Sequence, residues 1–203
     1  MSYLGLDVLP VRHNLRERLA ESFGRRGALV ESPVGAREFD DHAGVALPER
    51  SFLWTCPDRE ACEELRGFLD ARKGRLVPFW APTCCRDLAL AADAAAGVTI
   101  TVRRAGYYDY LFSLGPARRY VAIFAAGGEP LLRKVTNATP ASSTIETLTL
   151  DASTGIPLAV GTTAISFLVL CRLAADFTDL EWFSTSHCDA KLSFVELPRE
   201  VPA

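Results

Sequence analysis

The sequence contains no long apolar run. Residues 164–171, which only Ser166 interrupts, are among its longest apolar stretches and fall far short of the roughly 20 residues that span a bilayer. The first ten residues lack a basic region followed by an apolar run, and Asp7 breaks the apolar character that they have. We therefore expect no membrane span and no secretory signal, and a protein that starts in the cytoplasm.

The sequence also lacks a marked excess of either charge. Lys and Arg total 22 against 25 Asp and Glu, which gives a formal net charge of -3. Hydrophobic residues make up 49% of the 203 residues, enough for a packed core. This balance argues against intrinsic disorder and against nucleic-acid binding through bulk positive charge. The length permits one large domain or two small lobes.

Cysteine pairs with the spacing of zinc ligands are absent as well, although Cys84 and Cys85 are adjacent. Zinc knuckles and ribbons use cysteines with two residues between them, and this sequence has no such pair. The chain is also too long and its cysteines too sparse for a small disulfide-stapled scaffold. We expect reduced thiols, no metal and no cofactor. The six cysteines are Cys56, Cys62, Cys84, Cys85, Cys171 and Cys188.

No glycine-rich phosphate loop is present. The segment 24–27 has glycines at its ends, but Arg25 and Arg26 stand between them, without the lysine and hydroxyl of a P-loop. The sequence therefore gives no indication of nucleotide hydrolysis.

One amphipathic helix is predicted over residues 57–73. Thr55 is the expected N-cap with Asp58 in the capping-box position, and Gly74 supplies a left-handed stop. Acidic residues occupy the opposite face, so we expect a surface helix laid on an apolar layer. The predicted inward stripe consists of Ala61, Leu65, Phe68, Leu69 and Arg72.

Most of the remaining sequence has the pattern of short strands, which predicts a mainly β (α+β) fold of antiparallel β-sandwich or barrel lobes. Residues 86–96 are expected to be strand and loop rather than helix. A change of composition near Gly115 and Pro116 predicts an N-terminal lobe over 1–115 and a C-terminal lobe over 116–203. The predicted strands are 45–54, 75–80, 98–103, 107–112, 120–125, 131–139, 144–150, 163–173, 180–183 and 191–197.

Candidate catalytic groups are sparse. His187 and Cys188 are adjacent, but neighbours in a strand point to opposite faces and cannot act on each other directly. Two carboxylate pairs lie in loop-like polar segments, where solvated carboxylates are common. No catalytic residue is therefore predicted, and we expect a non-enzymatic protein. The pairs are Asp40 with Asp41, and Asp176 with Asp179.

Arginines and aromatic residues are the candidates for contact with other proteins. The first forty residues are rich in arginine and have little apolar periodicity, which fits either a solvated arm or a segment ordered by a neighbouring subunit. We expect the β core to need none of residues 1–27. Aromatic side chains lie at strand edges, where core, subunit interface and sugar stacking are the alternatives. The interface candidates are Arg12, Arg16, Arg18, Arg25, Arg26, Arg37, Trp80 and Trp182.

A series of short motifs resembles the minor or distal tail proteins of long-tailed, siphovirus-like bacteriophages and prophages. Each motif is short, and only their order and spacing along nearly the whole chain is specific. In the N-terminal half they are LPVRHN at 9–14, SPVGARE at 32–38, LPERSF at 47–52, RKGR at 72–75, PFW at 78–80 and RDL at 86–88. In the C-terminal half they are RKVT at 133–136, LTLD at 148–151, RLAAD at 172–176, LEW at 180–182 and FVELP at 194–198.

This resemblance implies a structural virion protein assembled in the host cytoplasm. Copies of the chain would form a homo-oligomeric ring, of six subunits, that joins the tail tube protein to the hub or baseplate and to the fibres. Metal sites of some tail-tip proteins depend on clustered cysteines, so none is carried over to this sequence. The alternatives are a tail-tip enzyme that degrades host wall or capsule and a β-sandwich that binds host carbohydrate.

Overall fold

The computed structural model describes residues 1–10, 20–24, 27–31, 37–41, 47–113, 115–126, 129–176 and 178–201. Among these residues no helix has the length and apolar character needed to cross a membrane. The described residues contain one α-helix, α1 (Arg59–Arg72). They also contain a π-helix at Tyr108–Phe112 and a 3-10 turn at Pro116–Arg118. The strands are β1 (Ser2–Tyr3), β2 (Leu6–Asp7), β3 (Ala20–Gly24), β4 (Gly27–Glu31), β5 (Arg37–Asp41), β6 (Leu47–Cys56), β7 (Phe79–Pro82), β8 (Thr99–Arg103), β9 (Tyr120–Phe124), β10 (Leu131–Pro140), β11 (Ile145–Leu150), β12 (Ala164–Leu173), β13 (Leu180–Trp182) and β14 (Cys188–Glu196).

The prediction of a mainly β, antiparallel fold with one α-helix is confirmed. Strands such as β6 and β11 alternate half-buried with fully buried residues, which is the period of a strand covered on one face. Residues 86–96 form isolated bridges and loop rather than helix, as expected, since Leu88 bridges Ile165 and Leu90 bridges Val102. Their alanines do not make a helix because these bridges satisfy the backbone.

The chain divides into two compact units. The first contains Met1–Leu9, Trp80–Leu170 and Pro198–Ala203, and the second contains Pro10–Phe79 and Cys171–Leu197. The boundary expected near residue 115 therefore lies inside the first unit. The reason is strand pairing, because β8, before that point, pairs with β11, after it.

The first unit contains the antiparallel order β12-β9-β10-β11-β8, in which β12 contributes its first residues. Trp80 is completely buried in this unit and its ring centroid lies 4.9 Å from that of Tyr120. Its indole N–H donates to the carbonyl of Tyr3 at 3.0 Å. The placement of Trp80 at an interface was wrong, because all four residues of β7 are buried.

The first residues of the chain belong to this core. Val8 and Leu9 are buried, and the Leu9 amide donates to the carbonyl of Trp80 at 2.8 Å. The expectation that the β core needs none of residues 1–27 was therefore wrong for residues 1–9. Burial of Val8 and Leu9, together with the contacts of the half-buried Tyr3 ring with the rings of Trp80 and Tyr120, explains why this short segment is ordered.

The strand predicted over 107–112 was also wrong. Tyr107 is buried and its hydroxyl donates to the Arg118 carbonyl at 3.0 Å, and the π-helix follows directly. Gly106 makes this turn possible, with φ at 75° and the Tyr110 ring 2.5 Å from where a Cβ would lie. Adjacent aromatic residues suit either structure, so this sequence carries no period of two that would require a strand.

The second unit contains the antiparallel order β3-β6-β14-β12, with the last residues of β12, and β13 also pairs with β14. Rings from β6, β7, α1 and β14 form a connected aromatic core. Phe79 packs edge-on against both Phe68 and Phe194, with centroids 5.2 and 5.3 Å apart. Phe52, Trp54 and Phe194 continue the same cluster.

Helix α1 confirms the predicted surface helix with small corrections. It begins after Asp58, whose carboxylate accepts from the Ala61 amide at 2.8 Å, so Asp58 and not Thr55 is the N-cap. It ends at Lys73, which has a left-handed φ of 51° before Gly74. The buried residues of the helix are Cys62, Leu65, Phe68 and Arg72.

Candidate functional site

The most distinctive surface of the second unit is the hairpin formed by β13 and β14. Trp182 pairs with Cys188 and Leu180 with Ala190. Across the connecting loop the Phe183 amide donates to the His187 carbonyl at 3.1 Å. The Ser184 hydroxyl accepts from the amides of Ser186 and His187 at 3.2 and 3.1 Å. The loop between the strands is therefore closed by its own hydrogen bonds.

Helix α1 fixes this loop from the other side. The Arg59 guanidinium donates to the Thr185 carbonyl at 3.2 Å and lies 5.7 Å from the centroid of the Trp182 ring. The Cys62 thiol, one turn further along the helix, points to the Ser186 carbonyl with 3.8 Å between sulfur and oxygen. The hairpin loop thus has contacts to two successive turns of α1.

The loop and the helix together expose a groove that we call the hairpin face. Trp182 is 42% exposed and Phe183 is 67% exposed. The groove has a volume of about 670 Å³. A second groove of about 490 Å³ adjoins it and shares Arg66 and Leu180. The hairpin face is lined by Arg59, Arg66, Leu180, Trp182, Phe183, Ser184 and Thr185.

Beneath the hairpin lies a group of three buried cysteines, which we call the thiol cluster: Cys56, Cys62 and Cys188. Cys56 ends β6 and lies directly opposite Cys188 at the start of β14, while Cys62 approaches from α1. The three Sγ atoms lie within 4.8 Å of one another. The Sγ atoms of Cys62 and Cys188 are 2.9 Å apart, and all three cysteines are free.

Burial dominates the chemistry of these thiols. Removal from water raises the pKa of the Cys56 thiol, and the same cause, followed by the hydrogen bond with Cys62, raises the pKa of Cys188. Both are therefore protonated and unreactive at neutral pH when nothing else binds them. Among the described residues, this is the one group of Cys, His, Asp and Glu side chains whose ligand atoms converge enough for a metal ion.

Sequence spacing could not reveal the thiol cluster. Five residues separate Cys56 from Cys62, and Cys188 follows near the end of the chain. Only the register that places Cys56 opposite Cys188, together with the direction of α1, joins them. The usable signal was a cysteine two residues after the predicted strand 45–54, followed by one in the first turns of the predicted helix.

The predicted interface residues have different outcomes. Trp182 is exposed on the hairpin face, whereas Trp80 is in the core of the first unit. Arg37 begins β5, which pairs with β4 in an antiparallel hairpin. Arg12, Arg16, Arg18, Arg25 and Arg26 lie outside the described residues. Sequence reasoning missed Arg59, because a charged residue at the start of a helix has no feature that marks it as a loop contact.

Asp176, one of the candidate catalytic carboxylates, is paired with Arg75. Both carboxylate oxygens of Asp176 accept from the Arg75 side chain, at 3.1 and 3.0 Å, and Oδ1 also accepts from the Arg75 amide. These bonds hold the pKa of Asp176 below its usual value. His187 is exposed while Cys188 is buried, so the expectation that they face opposite ways is confirmed.

The remaining candidate groups are not brought into a described site. Asp40 and Asp41 end β5, while His13 and His42 lie outside the described residues. Comparison of the sequence with models of known protein families finds no match, and comparison with curated proteins finds none either.

Proposed function

We propose that this protein is a structural subunit at the distal end of a long phage tail. Copies of the chain form a ring that connects the tail tube to the hub or baseplate and its fibres. The ring has six subunits, as the resemblance to tail proteins implies. The protein is then part of the virion and acts by assembly rather than by catalysis.

The observation that carries this proposal is the exposed aromatic surface of the hairpin face, which contacts with α1 and hydrogen bonds within the loop hold in place. Exposed Trp and Phe side chains beside arginines have the composition of protein interface centres. Trp182 is held by Arg59, and the loop that carries Phe183 is closed by its own hydrogen bonds. A surface fixed before binding loses little conformational entropy when a partner covers it.

Charge complementarity indicates that a second copy of the chain is the partner. The outer face of α1 carries exposed carboxylates at Glu60, Glu64 and Asp70. The N-terminal forty residues carry the arginines that could meet them on a neighbouring copy. Two different patches that fit each other make a head-to-tail contact, which is the kind that closes into rings.

An edge strand adds a second surface for assembly. Among the described residues, β3 pairs only with β6, and Phe23 on β3 is exposed. Such edges are liable to pair with other chains unless an assembly covers them. Glu63 and Asp176 are exposed acidic groups too, but they are paired within the subunit: Glu63 with Arg59 and Arg66, and Asp176 with Arg75.

The experiment is a mass measurement of the purified protein by light scattering, with and without the double substitution Trp182→Ser and Phe183→Ser. We expect the parent to form a closed oligomer that buries more than about 1,000 Å² per subunit, and the variant to be monomeric with an unchanged circular dichroism spectrum. Tyr110→Ser is the matched control, because Tyr110 is also exposed but lies in the first unit.

Particle assembly completes the test. Electron microscopy of phage that carry the double variant should show incomplete tails, whereas the Tyr110→Ser phage should have normal tails. A parent protein that stays monomeric in complete tails would contradict the ring. Binding of glycans by the parent, lost in the double variant without a change of mass, would favour the carbohydrate-binding alternative.

A further inference from the structure

The thiol cluster brings together three buried cysteines from separate elements of the second unit. The Sγ atoms of Cys62 and Cys188 are 2.9 Å apart, and binding one ion at the about 2.3 Å of a zinc–sulfur bond would move them to about 3.8 Å. Cys56 completes a triangle of sulfur atoms, all within 4.8 Å. Three sulfurs from β6, α1 and β14 therefore face one shared point.

We propose that the thiol cluster is a binding site for a single thiophilic metal ion, Cu(I) or Zn²⁺, held by the Sγ atoms of Cys56, Cys62 and Cys188. Thiolate sulfur is the donor that selects these ions over Mg²⁺, Ca²⁺ or Mn²⁺. Each coordinating thiol gives up its proton to solvent as its sulfur binds, and no oxidant or reductant takes part.

The donor set favours Cu(I) over Zn²⁺. Structural zinc is almost always held by four protein ligands. Within the described part of the chain, the converging ligand set contains the three cysteines alone. His187 does not supply a fourth ligand, because its Nδ1 lies 3.0 and 2.9 Å from the hydroxyls of Ser184 and Ser186 and its ring is on the exposed side. Three sulfurs suffice for Cu(I).

The position of the site links metal binding to the hairpin loop. Cys188 begins β14 directly after the loop, and Cys62 contacts the Ser186 carbonyl. An ion bound to all three sulfurs would join β6, α1 and β14 at one end of the second unit. Metal binding should therefore raise the unfolding temperature, because the ion binds the folded chain and not the separated strands.

The test titrates the reduced, metal-free full chain without oxygen. Cu(I) is delivered from a chelator of known affinity, and Zn²⁺ is titrated in a parallel arm. We expect one equivalent of Cu(I) to bind, to displace Zn²⁺ and to raise the unfolding temperature. Cys56→Ala, Cys62→Ala and Cys188→Ala should each weaken Cu(I) binding by more than the about 10- to 100-fold seen when only an outer partner of a metal ligand is lost.

Cys171→Ala is the matched control, since Cys171 is a buried thiol of the same unit outside the thiol cluster. The Cys171→Ala variant should bind Cu(I) with the same affinity as the parent protein. Failure of both ions to bind, or binding that survives Cys188→Ala, would overturn the proposal. A Cys62–Cys188 disulfide in protein purified under reducing conditions would overturn it too. Displacement of Cu(I) by Zn²⁺ would overturn the three-sulfur assignment.

Discussion

The two units bury charge in different ways. In the second unit, Glu196 on β14 is buried with Arg50 on β6, whose Nε lies 2.7 Å from the carboxylate. In the first unit, Glu146 on β11 is equally buried, but Arg104 Nε is 3.9 Å away and the Arg104 side chain reaches solvent. Within the described residues, neither Glu146 oxygen accepts a hydrogen bond, and Arg50 Nε and Glu196 Oε1 do not meet with hydrogen-bond geometry either. The two units therefore differ in the length of the ion pair and in the exposure of its arginine.

Both arginines contact a second carboxylate, but that of Arg104 is Asp109 of the π-helix, at 3.0 Å, whereas that of Arg50 lies on a neighbouring strand. The Arg50 Nη2 lies 3.0 Å from the carboxylate of Glu21 on β3, so one guanidinium joins three neighbouring strands. Arginine suits this position because its planar donors can meet two carboxylates at once. The comparison indicates that the order β3-β6-β14 depends on a specific polar contact, whereas the strands around Glu146 depend on apolar packing.

The largest effect is expected for Arg50→Met. The substitution removes the guanidinium beside the buried Glu196 carboxylate, which should lower the free energy of unfolding by about 3 to 5 kcal/mol in urea denaturation. Arg104→Met in the first unit should cost less, because the Arg104 guanidinium is farther from the buried Glu146 carboxylate and is partly solvated. Arg50→Met combined with Glu196→Leu should recover most of the loss. An equal loss of unfolding free energy for Arg50→Met and Arg104→Met would contradict the proposed difference between the two ion pairs.

The next effect is that of Phe68→Ala in the second unit. Phe68 is 8% exposed. Its ring centroid lies 5.2 Å from that of Phe79 and 4.7 Å from the Cζ atom of the Arg72 guanidinium. The cavity left behind should lower the free energy of unfolding by about 3 kcal/mol. Tyr110→Ala in the first unit should change it by less than about 0.5 kcal/mol, because Tyr110 is 70% exposed. An unchanged melting temperature for Phe68→Ala would show that α1 covers no core.

A smaller effect separates the helices of the two units. Asp58 caps α1 through the Ala61 amide, so Asp58→Ala should cost about 1 kcal/mol and Asp58→Asn much less. The π-helix Tyr108–Phe112 has no side-chain cap, and its Asp109 makes a solvent-exposed pair with Arg104. Asp109→Ala should therefore cost less than about 0.5 kcal/mol by the same denaturation measurement. A larger loss for Asp109→Ala than for Asp58→Ala would reverse this ranking.

The smallest effect is a pH dependence at the surface of the second unit. Arg75 lowers the pKa of the Asp176 carboxyl through hydrogen bonds. A lowered folded-state pKa contributes stability above the unfolded-state pKa, and that contribution is lost as pH falls through the folded value. Arg75→Gln should raise the pKa of Asp176 toward its ordinary value in an NMR titration. Lys73→Gln is the control, and an unchanged Asp176 pKa in Arg75→Gln would contradict the assignment.

Local patterns predicted those elements whose own residues determine the structure. The alternation of Ile145–Leu150 and the stripe through Leu65 and Phe68 are properties of a few neighbouring residues, and both are confirmed. The N-cap was misplaced by three residues, because both Thr55 and Asp58 are good caps and the choice depends on where β6 ends.

Features that depend on distant residues could not be predicted. Trp80 is buried because Tyr3 and Tyr120 cover it, and both are far away in sequence. The thiol cluster needs the register of β6 with β14, and the two units need pairings that cross the expected boundary at residue 115. Of the residues of the hairpin face, the sequence predicted Trp182 alone as a contact residue. Arg59 and Thr185 meet through a hydrogen bond between residues distant in sequence, which no local pattern encodes.

The discontinuous make-up of the second unit has a consequence for the order of events during synthesis. Pro10–Phe79 leaves the ribosome long before Cys171–Leu197, and β6 has no β14 to pair with until nearly the whole chain has been made. Contacts between residues so distant in sequence slow folding, because the entropy of closing a long loop is lost before the strand pairing stabilises the chain. The nascent chain meanwhile presents β6 with only β3 available to pair with it, so one edge of β6 stays open. This delay would make the second unit dependent on chaperones, and the first unit, whose strands β8 to β12 follow one another, the earlier to fold.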